Sequence, residues 1–152
     1  PFCIMRGTAL AEGIGEILTP LPPMPKCPVL IAKPPVAVST KFVYENLKLT
    51  DATKHPDIDA VADAIKNKDL KAVAANMGNI LETVTIPHNP VIAEIKKVMK
   101  ANGALNAMMS GSGPTVFGLF QSEKDIRKAY DALKQSDLVK NLYTSDIHNN
   151  RR

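Results

Sequence analysis

A short glycine–serine segment is the part of this sequence whose residue types best suit the binding of an anionic ligand. It consists of Ser110, Gly111, Ser112 and Gly113 and is followed by Pro114. Glycines let the backbone turn tightly and approach a ligand closely, and successive amide groups in such a turn form an anion-binding concavity. Glycine–serine loops between strands are also common as plain turns whose serines cap their own backbone. The spacing by itself leaves both interpretations open.

Tyr44 is a second candidate for ligand contact. It lies one helical turn after Thr40, in a short predicted helix. An aromatic ring at such a position can stack on a planar ligand, and stacking of a base on an aromatic side chain stabilises binding by about 1–3 kcal/mol. A half-buried tyrosine of the core fits the same spacing, so this alternative also stays open.

Several other chemistries find no support in the sequence. The histidines, His55, His88 and His148, never pair at a spacing of four residues, and we predict no metal site. The glycine–serine segment lacks the Gly-Lys-Ser/Thr of a nucleotide-binding P-loop, and no Gly-x-Ser-x-Gly motif supplies a nucleophile. Cys3 and Cys27 fit no metal-ligand or disulfide pattern, which is typical of reduced thiols in a cytoplasmic protein.

The composition favours one globular domain and narrows the kinds of partner. The chain has 152 residues, of which 45% are hydrophobic and 22% charged, with a net charge of +4. These values exclude a disordered chain, and no apolar run approaches the roughly 20 residues that a membrane-spanning helix needs. The basic residues alternate with acidic ones and only 5% of the residues are aromatic, so we expect no nucleic-acid partner and no membrane partner.

The strands that position these residues follow from apolar runs bounded by prolines and glycines. A strand pair is predicted from Cys3 to Leu21, turning around Gly13, Ile14 and Gly15. The prolines from Pro20 to Pro28 forbid a helix in the connector that follows. Further strands are predicted at residues 29–32, 105–109, 115–120 and 139–147.

Helices are predicted between these strands, each from a capping residue or a proline together with apolar residues at helical spacing. The third helix is long and runs from about Asp69 until Pro87 stops it. The mixture of helices and paired strands predicts an α+β fold in which helices cover one face of a mainly antiparallel sheet. The predicted starts are Ser39 or Thr40, then Asp57, Asp69, Asn89 with Pro90 as the first helical residue, and Ser122.

Residues 109–117 resemble the third, C-terminal signature of the GHMP kinases, and the resemblance extends in order over nearly the whole chain. Residues 6–20 and 33–40, followed by Tyr44, are similar to one branch of that family. Its members transfer the γ-phosphoryl group of ATP to the 2-hydroxyl of 4-diphosphocytidyl-2-C-methyl-D-erythritol, in non-mevalonate isoprenoid biosynthesis. The resemblance implies a ferredoxin-like C-terminal kinase domain that binds a cytidine diphosphate substrate.

The resemblance also assigns roles to individual residues. It implies that Tyr44 stacks on the cytosine ring of the substrate and that Ile14 makes an apolar contact near the base. Thr40 matches a threonine beside the erythritol end of the substrate. The segment from Ser110 to Gly113 matches the loop that abuts the phosphate region.

The chemistry of the family is expected to lie largely outside this chain. The family's glycine-rich ATP-phosphate loop and catalytic lysine have no match here, and its catalytic aspartate would fall just before Pro1. We therefore expect no catalytic residue in the chain, and ATP and Mg²⁺ bound mainly by a missing N-terminal half. That half is an expected partner, and without it the exposed interdomain surface is expected to self-associate. The expected division is residues 1–28 as strand pair and connector in the interdomain region, 29–147 as the C-terminal kinase domain, and 148–152 as a polar tail.

Two alternative functions stay open at this stage. The chain could belong to another GHMP kinase, of the homoserine or mevalonate type, whose substrate carries no base for Tyr44 to stack on. It could instead be a free-standing α+β module that binds a ligand or regulates another protein.

Overall fold

The computed structural model describes residues 7–50 and 55–148 of the chain. The predicted strand residues at 3–6, with Cys3, and the tail residues 149–152 lie outside the described part. The elements in chain order are β1 (Ala9–Glu12), β2 (Ile17–Pro20), β3 (Pro28–Lys33), α1 (Thr40–Asn46), α2 (Ile58–Lys66), α3 (Leu70–Asn76), α4 (Glu82–His88), α5 (Val91–Ala101), β4 (Ala104–Met109), β5 (Val116–Phe120), α6 (Glu123–Lys134) and β6 (Asn141–Asp146).

The predicted strand pair is confirmed as the antiparallel hairpin of β1 and β2. Ala9 pairs with Pro20 and Glu12 with Ile17, so the chain reverses over residues 13–16. Gly13 and Gly15 adopt φ angles of +68° and +96° in this turn, a region that residues with a Cβ rarely occupy. The proline-rich connector then leads to β3 without forming a helix or strand.

The second sheet has four antiparallel strands in the order β4-β5-β3-β6. Along the chain, α5 precedes β4 and α6 lies between β5 and β6. This strand–helix–strand–strand–helix–strand arrangement is the split βαβ topology of ferredoxin-like folds. The implied ferredoxin-like fold and the α+β class are thus confirmed.

Helices lie on both faces of this sheet, which corrects the prediction that they cover one face. Leu30 of β3 packs with Phe120 of β5 against α5 and α6. Val29 and Leu119 point to the other face, where they pack against α2 and α3. The physical reason is that residues 29–32 are apolar at every position, and alternate side chains of a strand point to opposite faces, so both faces need cover.

The long third helix of the prediction is two helices, α3 and α4. The first ends at Asn76, and the second begins at Glu82. The intervening residues 77–81 include Gly78, where a Cβ would lie 3.0 Å from the ring of Pro56. Glycine and asparagine are weak helix formers, and the apolar spacing that suggested one helix reflects burial of both segments.

The junction between α4 and α5 also differs from the prediction. Pro87 does not stop the helix, because α4 continues to His88 with the proline inside its last turn. The side-chain amide of Asn89 donates to the carbonyl of Thr85 at 3.2 Å, and the N-cap position of α5 belongs to Pro90, without a side-chain cap. A polar side chain between two helices can serve either one, and here it satisfies a carbonyl at the end of the preceding helix.

Candidate functional site

The glycine–serine loop joins β4 to β5 in a tight turn. The amide of Ser110 donates to the carbonyl of Thr115 at 2.8 Å, and the amide of Gly113 donates to the carbonyl of Ser110 at 3.0 Å. Gly111 and Gly113 have φ angles of +56° and +88°. The predicted strand–loop–strand arrangement is confirmed, and both glycines occupy the left-handed region that glycine tolerates best.

One side of this loop is packed and the other is open. A Cβ on Gly113 would lie 2.5 Å from the sulfur of Met109, whereas a Cβ on Gly111 would meet nothing within 4 Å. Within the described residues, the amides of Gly111 and Ser112 have no protein acceptor. The open side therefore presents two neighbouring N–H groups, which suits an anionic ligand.

Helix α1 brings Thr40 to the open side. Ser39 caps the helix by accepting the amide of Phe42 at 3.3 Å, so Thr40 is free of the capping role. The hydroxyls of Thr40 and Ser112 are hydrogen-bonded at 2.8 Å, although 72 residues separate them in the chain. The structure therefore brings two of the candidate residues, Thr40 and Ser112, into direct contact.

Tyr44 lies on the same face of α1 as Thr40, because residues four apart on a helix are neighbours. It is 61% exposed. The interpretation of Tyr44 as a half-buried core residue is therefore wrong, and the ring is accessible to a ligand one turn along α1 from the loop.

Ile14 lies apart from this group. It occupies the turn between β1 and β2 and is 99% exposed, so its side chain packs against no described residue. The structure brings Thr40 and the loop together, with Tyr44 on the same helix, but does not bring Ile14 into contact with them.

Three polar residues that contact the loop from behind were not predicted from the sequence. Asn79, Glu82 and Thr85 lie before and within α4, and all three side chains hydrogen-bond to the backbone between Met109 and Ser112. One signal was available in the sequence, because Thr85 is a polar residue at an apolar position of α4. In the structure it is only 1% exposed. Buried hydroxyls are nearly always hydrogen-bonded, so such a residue indicates a specific partner.

The titratable groups with shifted pKa values lie away from the loop. Burial raises the pKa of the Cys27 thiol to about 11, helped by the neighbouring carboxylate of Asp146. The hydrogen bond from Ser122 lowers the pKa of Asp125, within the cap of α6. Among residues 7–50 and 55–148, no group of three histidine, cysteine or acidic side chains could hold a metal ion, and no helix is long and apolar enough to cross a bilayer.

The family is decided by a match over residues 61–139, which fit the model of the C-terminal domain of GHMP kinases. The matched segment is more than half of the chain and includes the glycine–serine loop. This chain belongs to the GHMP kinase C-terminal domain family.

Named relatives and solved structures agree with this assignment. The GHMP kinase domain is 60% identical over 146 residues to 4-diphosphocytidyl-2-C-methyl-D-erythritol kinase of Lachnospira eligens, a match that covers 96% of this chain and 51% of that protein. A crystal structure of 4-(cytidine 5'-diphospho)-2C-methyl-D-erythritol kinase superposes with a TM-score of 0.72 at 28% identity, over 91% of this chain and 48% of that one. The chain thus spans about half the length of the curated relatives it matches.

The fold does not separate the members of the family. A crystal structure of homoserine kinase from Cytophaga hutchinsonii superposes with a TM-score of 0.78, over 99% of this chain and 50% of that one, at only 23% identity. This likeness shows the shared fold alone and does not distinguish one substrate from another.

Proposed function

We propose that this GHMP kinase domain is the substrate-binding C-terminal part of a 4-diphosphocytidyl-2-C-methyl-D-erythritol kinase. The observation that carries the proposal is the 60% identity over 96% of the chain to a relative of that name. The complete enzyme would transfer the γ-phosphoryl group of ATP to the 2-hydroxyl of the substrate. A bond forms between that oxygen and the γ-phosphorus, the β–γ bridge breaks, ADP leaves, and the hydroxyl proton passes to a base.

We also propose how the catalytic tasks are divided between the two halves of the enzyme. The ATP-phosphate loop, the catalytic lysine, the catalytic aspartate and most Mg²⁺ contacts are assigned to the other half. Residues 1–28 would belong to the interdomain region, 29–147 would form the C-terminal domain and 148–152 its polar tail. We also propose a cytoplasmic location for the whole kinase.

The geometry around α1 supports a substrate that is held at two points. Tyr44 is exposed and would stack on the cytosine ring, while Thr40 and the loop would face the erythritol and phosphate region. Ile14 would contact the base from the β1–β2 turn. Phosphoryl transfer depends mainly on positioning and on stabilising charge, and the open amides of Gly111 and Ser112 can supply charge stabilisation without a titrating side chain.

The base-stacking role of Tyr44 is tested in the full-length kinase. Tyr44→Ala is expected to weaken substrate binding by about 1–3 kcal/mol, or roughly five- to 150-fold in KM, while Tyr44→Phe keeps the ring and has a mild effect. Tyr143→Ala is the matched control, because Tyr143 lies on β6 and is similarly exposed, at 58% against 61%. Equal turnover by Tyr44→Ala and wild type at limiting substrate would refute stacking, and efficient use of homoserine or mevalonate would favour the other kinases of the family.

The assignment of catalysis to the other half is tested with the 152-residue chain itself. We expect no phosphorylation of the substrate above background from the purified chain, and self-association on size-exclusion chromatography through an uncovered interdomain surface. Measurable kinase activity of this chain would contradict the proposed division.

A further inference from the structure

The glycine–serine loop is held from behind by one short stretch of chain. Asn79, Glu82 and Thr85, here called the 79–85 brace, bind the backbone of the residues from Met109 to Ser112. We propose that the 79–85 brace positions the loop so that its free amides face the phosphates of the bound ligand. The inference rests on the proposed function, because it assigns the amides to the phosphate region of that substrate site.

Asn79 sets the direction of the Ser112 amide. Its side-chain nitrogen donates to the carbonyls of Met109 and Gly111, both at 2.8 Å. Its side-chain oxygen accepts the amide of Leu81 at 3.0 Å, which fixes the orientation of the group. In a trans peptide the C=O and N–H groups point in opposite directions. Because the carbonyl of Gly111 points toward Asn79, the N–H of Ser112 in the same peptide points away, toward the open side.

Glu82 holds the residue at which β4 enters the loop. One carboxylate oxygen accepts the amide of Met109 at 2.7 Å, and the other pairs with the ammonium group of Lys96. Both side chains are largely buried, with 17% of Glu82 and 22% of Lys96 exposed. Because β4 is an edge strand of its sheet, this carboxylate satisfies a backbone amide that has no strand partner on that side. Charge-assisted hydrogen bonds of this kind are the stronger class.

Thr85 holds the far end of the loop. Its hydroxyl donates to the carbonyl of Ser112 at 3.2 Å, and the residue is 1% exposed. Its methyl carbon lies 3.4 Å from the position that a Cβ on Gly113 would occupy. Thr85 therefore holds the loop through a buried hydrogen bond, and its methyl group leaves little room for a side chain at Gly113.

The test uses the full-length kinase and steady-state kinetics with the cytidine diphosphate substrate. Thr85→Val keeps the shape and removes the hydroxyl, and Asn79→Asp removes the donor to both carbonyls. We expect each to lower kcat by about tenfold or more, with KM for the substrate changed less than about threefold, because donors aimed at developing charge act mainly on the chemical step. Thr85→Ser restores the hydroxyl and is expected to restore kcat.

Matched controls separate positioning from a loss of folding. Thr83→Val removes a hydroxyl that bonds the carbonyl of Ile80 at 2.7 Å, and Asn76→Asp removes an amide that bonds the carbonyl of Ala72 at 2.9 Å. Neither group contacts the loop, so both controls are expected to keep kcat within about twofold. Thermal unfolding of every variant is recorded in parallel.

The two proposals fail in different ways. A wild-type enzyme that does not phosphorylate the cytidine diphosphate substrate would overturn the proposed function. An active wild type whose kcat is unchanged by both Asn79→Asp and Thr85→Val would overturn the positioning role and leave the proposed function standing. Equal losses of kcat in the test variants and the two controls would also overturn it, because the effect would then be one of folding.

Discussion

Two glycine turns in this molecule look alike in sequence and differ in what holds them. The β1–β2 turn contains Gly13 and Gly15, and the loop between β4 and β5 contains Gly111 and Gly113; all four have positive φ angles. In the first turn the hydrogen bonds between described residues are local: the amide of Gly15 donates to the carbonyl of Glu12, and the amide of Ile14 donates to the carboxylate of Glu16.

The second turn is instead held by side chains that lie 27 to 72 residues away in the chain. A turn with only local hydrogen bonds still reverses the chain, but its tip is not held against the rest of the protein. A turn bound by distant side chains acquires a packed side and an open side, and only such a turn can present its amides in a fixed direction.

The largest difference between the turns is expected from Gly113→Ala. Its Cβ would lie 2.5 Å from the Met109 sulfur, at a φ of +88°. Backbone strain and overpacking together are expected to cost about 2–4 kcal/mol of unfolding free energy. Chemical denaturation of the full-length kinase measures the loss. The double variant with Met109→Ala relieves the contact but keeps the strain, and a simple sum of the two single effects would show that the contact does not matter.

A smaller and more selective effect is expected from Gly111→Ala. No atom lies within 4 Å of the new Cβ, so the stability cost is limited to the strain of a left-handed residue, about 1–2 kcal/mol. The methyl group would project on the open side, and kcat is expected to fall more than tenfold. Gly15→Ala also meets open space in the β1–β2 turn. It provides the stability comparison, and an equal loss of kcat there would erase the functional difference between the turns.

Ile14→Ala tests whether the freer turn takes part in binding. Because Ile14 is 99% exposed, its truncation is expected to change the unfolding free energy by less than about 0.5 kcal/mol. If the proposed contact with the base exists, KM for the substrate rises severalfold. An unchanged KM would remove Ile14 from the site and confine recognition to α1 and the loop.

The smallest effect concerns Cys27, which lies where the connector from the hairpin reaches β3. Burial, with a contribution from Asp146, raises the pKa of this thiol from 9.0 to about 11. Between these values the unfolded chain loses a proton that the folded protein keeps, so the stability contributed by Cys27 falls as pH rises from about 9 to 11.

Denaturation midpoints of wild type and Cys27→Ala across that range measure the contribution of Cys27. The midpoint of the wild type should fall more steeply than that of the variant. Parallel pH profiles would show that the thiol is not shielded.

The amino-acid sequence was sufficient for features that depend on neighbours in the chain. Ser39, Asp57 and Ser122 cap helices as their side-chain chemistry predicts, because a cap needs only an acceptor within reach of the next turn. The glycine turns and the strands around them follow from the same local rules. The family, too, could be inferred from the order of motifs along the chain, at residues 6–20, 33–40 and 109–117.

The arrangement of the site required contacts between distant parts of the chain. Asn79 sits in a stretch that the apolar spacing assigned to a helix interior, yet it bonds to two carbonyls 30 and 32 residues away. The exposure of Tyr44 and the contact of Thr40 with Ser112 likewise depend on where α1 packs. Hydrophobic periodicity reports that a residue is buried but carries no information about its partner, and the partner determines which side of the loop faces a ligand.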